Sequence, residues 1–168
     1  MGSSTIPASS GGGTTWTAIS TPTAAGVTSV GFSSLSGYKE YKIVFSNLSL
    51  ASSGPVMVRL NANSSTYTTT GEAGTTSSNS GSNHINSSEF YATGSLNVTS
   101  YLIGSVTIPQ ANLLGNKSCV IDTGFTDGGV GKFFKGNGTV QTTAAITEIL
   151  VFANSNFDSN GITLYGAN

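Results

Sequence analysis

Three short stretches of the chain pair residue types and spacings that could do chemistry. Asp122-Thr123-Gly124 follows the apolar run Cys119, Val120, Ile121, the local signature of an aspartic protease, where an Asp at a strand end shares a proton with a twin. There is no second such tripeptide, and Phe125 stands where that family carries a small residue. An Asp and a Gly ending a strand at a turn is therefore the expected reading. Asn156-Phe-Asp158-Ser-Asn160-Gly161 alternates oxygen-bearing side chains up to a glycine, like the first half of a calcium loop. Its twelfth position is Ala167 rather than a bidentate Glu. The stretch is expected to be a hairpin turn between Phe152 and Ile162, with Asn160-Gly161 as its corner. Gly131-Lys132 fails as a phosphate loop, because Thr126 replaces its first glycine and Phe133 replaces the magnesium-holding Ser or Thr.

The remaining reactive side chains stand alone. His84 is the one histidine, so neither a histidine metal site nor a serine triad can be built within one chain; an exposed loop is its expected place. Three copies of His84 around a trimer axis would be the one route to a metal. Cys119 is the one cysteine, which excludes an internal disulfide and predicts a buried thiol. Six Asn-x-Ser/Thr sequons stand against roughly four expected by chance from this composition, so composition accounts for them. The sequence thus assigns no catalytic, cofactor or metal residues, and an enzyme is not expected.

Ser, Thr, Asn and Gly make up about half of the 168 residues, while charged residues are only 8% and the net charge is −1. A typical soluble domain carries roughly 25% charged residues, so electrostatics is not expected to drive association here. With Arg59 as the one arginine, no basic face for nucleic acid can be assembled. No apolar run approaches the ~20 residues of a spanning helix, so no membrane span is expected. Met1 to Thr5 lacks the charged and apolar regions of a signal peptide, which gives no expectation of secretion. Hydrophobic residues still reach 37%, enough for one packed domain.

The elements that must position these residues read as strands. Residues 1–13 form an extended Gly/Ser-rich arm in which Ile6 and Pro7 are the conspicuous non-polar side chains. The arm buries too little to order itself without a partner or sister subunit. From Thr14 onward, apolar residues follow period two in short Val/Ile/Thr/Tyr/Phe segments punctuated by Gly, Asn and Ser. Strands are predicted at 14–19, 27–32, 38–50, 56–61, 66–69, 85–92, 101–109, 117–125, 144–153 and 161–165. Alternation in the fourth puts Arg59 on the surface. Residues 110–114 are too short for more than a turn, and residues 64–83 read as a long polar loop suited to contacts. The expected class is all-β: one antiparallel β-sandwich over residues 14–168, jelly-roll-like, behind the arm.

Three segments carry a resemblance: Tyr38-Lys-Glu-Tyr-Lys-Ile-Val-Phe-Ser-Asn-Leu48, Val56-Met-Val-Arg-Leu-Asn61 followed by Tyr67, and the closing Gly161-Ile-Thr-Leu-Tyr-Gly166. They resemble small β-sandwich virion proteins of tailed bacteriophages, over a span from about Trp16 to the C-terminus. The resemblance implies a non-catalytic particle component located in the virion, oligomeric and with a trimer favoured. Its expected partners are the major capsid protein or tail proteins, and no cofactor is implied. A chain without heptads, collagen period or β-helix repeat cannot be a shaft. It is expected to be a capsid decoration or cement protein docked through its arm, with a tail-fibre tip that touches host glycan as the alternative. Ile6, Pro7, Trp16, Tyr67 and His84 are the candidate partner contacts, joined by Phe90 and Tyr91 in the alternative. A cellular carbohydrate-binding module is a third reading. It would need an exposed aromatic platform, whereas Trp16 is expected to pack under a neighbouring strand.

Overall fold

The computed structural model describes residues 15–64, 66–75, 78–127, 130–142 and 144–168; the arm, with Ile6 and Pro7, lies outside them. The described chain is all-β and antiparallel. Its strands are β1 (Trp16–Ser20), β2 (Ser29–Phe32), β3 (Glu40–Leu48), β4 (Val56–Leu60), β5 (Tyr67–Thr75) and β6 (Asn79–Ser87). They continue with β7 (Phe90–Tyr91), β8 (Leu102–Ile108), β9 (Lys117–Asp127), β10 (Val130–Val140), β11 (Ile149–Ala153) and β12 (Ile162–Ala167).

An eight-stranded sheet runs β1-β12-β3-β8-β9-β10-β5-β6, and a four-stranded sheet runs β2-β11-β4-β7. Period-two alternation builds the core between them. Tyr41, Ile43 and Phe45 of β3 are buried while Lys42 and Val44 between them are only half-buried. Ile149 and Val151 of β11, Val56 and Val58 of β4, and Ile162 and Leu164 of β12 join the same cluster. The two sheets thus enclose one core, as in a β-sandwich. Two long hairpins, β5–β6 and β9–β10, extend the larger sheet on the side beyond β8 and have no counterpart strands in the smaller one.

The structure corrects several expectations. Residues 64–83 are largely the β5–β6 hairpin, so His84 sits in a strand, its backbone paired with Thr69. Strand β10 occupies a stretch in which no strand was expected, because its four apolar residues alternate poorly among Gly, Lys, Asn and Thr. Asp122-Thr123-Gly124 lies inside β9 rather than at its end. The residues between β11 and β12 form no hairpin, since those strands belong to different sheets. The crossover is held by Asn160 Oδ1, which accepts from the amides of Ala24 at 2.8 Å and Ala25 at 3.1 Å. One of the side-chain oxygens that imitated a calcium loop, that of Asn160, is thereby spent on the backbone. Arg59 is not a free surface residue: it pairs with Glu89 at 3.2 Å and lies over the Phe152 ring at 4.8 Å.

Tyr67, expected in a partner-facing loop, is fully buried. Its hydroxyl accepts from the Leu60 amide at 2.8 Å and donates to the Leu60 carbonyl at 3.2 Å, which burial demands of any phenol. Phe90, also expected at the surface, is fully buried and meets the Tyr67 ring edge-on at 4.8 Å. Both are core residues that pin the root of β5 to β7. Residues 110–114 are a turn as expected, closed by the Leu113 amide on the Gln110 carbonyl at 3.2 Å.

Candidate functional site

Strand directions give the larger sheet two distinct ends. One end collects the start of β1 at Trp16, the end of β12 and the β8–β9 loop; the other collects the β5–β6 and β9–β10 tips. With β8 seven residues long, the ends are about 20 Å apart.

At the first end, Trp16 is half-buried in edge strand β1 and carries Lys42 Nζ 4.3 Å from its ring centroid. A cation over an indole face holds the ring flat on the sheet. The β8–β9 loop is fixed by Lys117, which is 2% exposed and donates from Nζ to the carbonyls of Leu113 and Gly115. Burial pulls the Lys117 pKa below the usual lysine value. The Ala111 amide bonds the Lys39 carbonyl at 2.6 Å and the Ile146 amide bonds the Ala111 carbonyl at 2.8 Å, tying the loop to both neighbours. This fixed loop presents Leu113 and Leu114, 51% and 80% exposed. Beside it, Leu35, Tyr38, Tyr41, Asn112 and Ile146 line a hollow of about 250 Å³. The Tyr41 hydroxyl is buried without a hydrogen-bond partner among the described residues.

At the second end a cleft of about 450 Å³ opens where β3, β8, β9 and β10 meet, lined among others by Asn47, Tyr101, Ile103, Phe125, Thr126 and Lys132. Tyr101 and Ile103 are 55% and 52% exposed. A bulge where β3 meets β8, between Phe45 and Leu48, places Asn47 here with φ +54°. Bulges re-aim a side chain out of the pleat, and Asn tolerates this conformation better than most residues. The Ser159 hydroxyl donates to the Asn47 carbonyl at 2.8 Å, and Gly104 opposite has φ +119° with no room for a Cβ against the Asp122 backbone. The distortion is thus supported from both strands.

The other sequence-singled residues separate. Asp122 is exposed on the outer face and pairs with Lys135 at 3.7 Å, with Glu72 opposite Lys135 on the next strand. That order places a lysine between the two carboxylates, unlike the directly adjoining pair of an aspartic protease. Thr123 points the other way and donates to the Ala92 carbonyl at 2.7 Å. Cys119 is buried, as expected, and its pKa is pushed up to about 12 by desolvation. Among the described residues no three His, Cys, Asp or Glu groups gather as a metal site. Sequence reasoning missed Leu113, Leu114, Tyr101 and Ile103. Their signal was faint: Leu113-Leu114 stands in a polar turn segment, and Tyr101 and Ile103 share strand parity. No family model, curated protein or solved structure matches the chain.

Proposed function

We propose that the chain is a non-catalytic structural protein of a tailed-bacteriophage particle, a capsid decoration or cement protein whose arm-bearing end docks on the shell. The observation that carries this reading is the gathering of unspent contact surface at that end. The fixed Leu113-Leu114 turn, the hollow beside it and the unpartnered Tyr41 hydroxyl all lie where β1 begins and the arm enters the domain. An apolar knuckle on an otherwise Ser/Thr-rich surface, held by a buried lysine, suits permanent association. Low charge and short side chains keep the desolvation and entropy costs of docking small.

The strand order supports a jelly-roll reading in which β1-β12-β3-β8 faces β2-β11-β4-β7, with the hairpins inserted between β4 and β7 and between β8 and β11. A homotrimer located in the virion, with the major capsid protein as partner, completes the proposal. The test is co-sedimentation with shells stripped of tails, using the full chain and a chain starting at Thr14. Capture of the full chain alone supports docking through the arm.

The cleft at the far end favours a second reading, a tail-fibre tip or receptor-binding head that contacts host glycan. In that case the free protein binds host cells, and shells without tails do not retain it.

A further inference from the structure

We propose that Ile6-Pro7 of the chain's own arm seats in the hollow lined by Tyr41, and that the Tyr41 hydroxyl donates there to a backbone carbonyl of the arm. The inference concerns the free protein and goes beyond shell docking, which has its own test.

The argument begins with the hollow. Leu35, Tyr38, Tyr41 and Ile146 give it apolar walls, and the exposed Ser36 and Asn112 also line it. Those walls are fixed by the backbone: the Leu35 amide donates to the Thr147 carbonyl at 2.9 Å and the Ile146 amide to the Ala111 carbonyl at 2.8 Å. A cavity of about 150 Å³ takes a benzene ring. About 250 Å³ therefore has room for a proline ring together with a branched side chain. One polar atom is left over. Tyr41 is 1% exposed and its hydroxyl lacks a hydrogen-bond partner among the described residues, a state that costs free energy. Burial, and then the neighbouring Tyr38, raise its pKa, so the hydroxyl keeps its proton and is a donor. The Tyr38 ring, half-buried and edge-on to Tyr41 at 6.0 Å, is the wall that yields to let an acceptor reach it.

The arm enters from the same end. Strands β1 and β3 both pair antiparallel with β12, so they run in one direction and the segments before them leave the sheet side by side. Trp16 pairs with Ala167 and Ala167 with Glu40, which puts Trp16 roughly 15 Å or less from Tyr38. The ten-residue step from Ile6 to Trp16 spans up to about 33 Å when extended. That slack, with Gly11-Gly12-Gly13 to turn the chain, brings the arm back to its own hollow at a local concentration of about millimolar, ahead of a second copy. Composition selects the residues. Apart from Met1, Ile6-Pro7-Ala8 is the apolar run of an arm built of Ser, Thr and Gly. Proline brings no N–H to strand among apolar walls, and it holds Ile6 extended with its carbonyl free to accept.

The experiment is disulfide trapping in the full chain, with Ile6→Cys combined either with Asn112→Cys at the hollow or with Ser20→Cys, exposed at the other end of β1 and within the same reach. Cys119, buried with its pKa pushed up to about 12, stays out of the exchange. The expected result is a bond within one chain that forms about tenfold or more faster with Asn112→Cys than with Ser20→Cys, and that Tyr41→Phe slows severalfold. Urea midpoints give a second readout. Tyr41→Phe should lower the midpoint of the full chain, but leave it level or raise it when Ile6→Ser and Pro7→Ser are also present, because the hydroxyl then has no partner to lose. Equal trapping at the two positions, or a bond formed mainly between chains, overturns the proposal. So do equal midpoint shifts in the two backgrounds, the result for a hydroxyl satisfied by water. No shell enters either measurement, so a failure here leaves the docking reading standing.

Discussion

The frame of the molecule, β1-β12-β3-β8 against β2-β11-β4-β7, and the two hairpins added beside it are both antiparallel β-structure, yet different forces hold them. Frame strands bury large side chains such as Tyr41, Ile43, Phe45, Leu60 and Leu102, and their stability comes from area removed from water. The hairpins join that core through one face, at Tyr67, Cys119, Ile121, Phe125, Phe134 and Val140. On that face Gly71 lies opposite Gly136 across the β5–β10 pair, and the Phe134 ring fills the space beside Gly71. Beyond that the strands depend mainly on backbone hydrogen bonds and neutral Thr and Ser side chains. Burial makes the frame one cooperative unit, while the hairpins lengthen a surface at little cost in apolar residues.

Substitutions can break this contrast, and the largest effect belongs to the junction. A Cβ on Gly138 would overlap the buried Phe90 ring and stand 2.7 Å from Cys119 Sγ, whereas a Cβ on Gly81 in β6 meets nothing within 4 Å. Gly138→Val is expected to cost about 3 kcal/mol or more, and Gly81→Val about 0.5 kcal/mol or less in either direction. Urea denaturation of both variants checks this, and equal costs would dissolve the distinction between root and tip.

Alkaline pH attacks the same roots. Cys119 and Tyr67 both have pKa values pushed up to about 12, chiefly by burial. The folded state keeps them neutral while the unfolded chain ionises them near 8.5 and 10. Their contribution is therefore complete below about pH 8.5 and is lost, by several kcal/mol in total, as pH rises toward 12. Lys117 acts in the opposite sense. Its folded pKa is lowered, so the unfolded chain holds that proton longer and the lysine's contribution rises with pH up to about 10.4. Denaturant midpoints across pH 8 to 12 should fall, and less steeply in Cys119→Ala.

A smaller effect follows from Tyr67→Phe, which removes the hydroxyl from the Leu60 amide and carbonyl without opening a cavity. The expected loss is about 1–2 kcal/mol. Smallest of all, Leu113→Ser with Leu114→Ser should change stability by about 0.5 kcal/mol or less, since neither residue is buried.

The frame was legible in the sequence for the reason that makes it stable. Alternation in Tyr41, Ile43 and Phe45, or in Val56, Val58 and Leu60, is the imprint of one buried face. In the hairpins β-structure rests largely on register between chain segments, so the pattern predicts no strand at β10 and only the base of β5 and of β6, the rest of that hairpin reading as a loop. Tyr67 and Phe90 were misplaced because polar neighbours made them look exposed, although one long-range edge-on contact buries both. The ends of the larger sheet were least legible. Exposure of Leu114 depends on a clamp by Lys117, and the cleft at Tyr101 depends on a bulge in β3 and a glycine in β9.

In the proposed role the arm-bearing end holds the protein on a shell. The most direct measurement is co-sedimentation of three forms with tail-less shells: the full chain, the chain starting at Thr14, and the full chain with Leu113→Ser and Leu114→Ser. The expected result is stoichiometric capture of the first, loss of capture for the second, and capture weakened about tenfold or more for the third. Equal capture of all three forms, or of none, would contradict it.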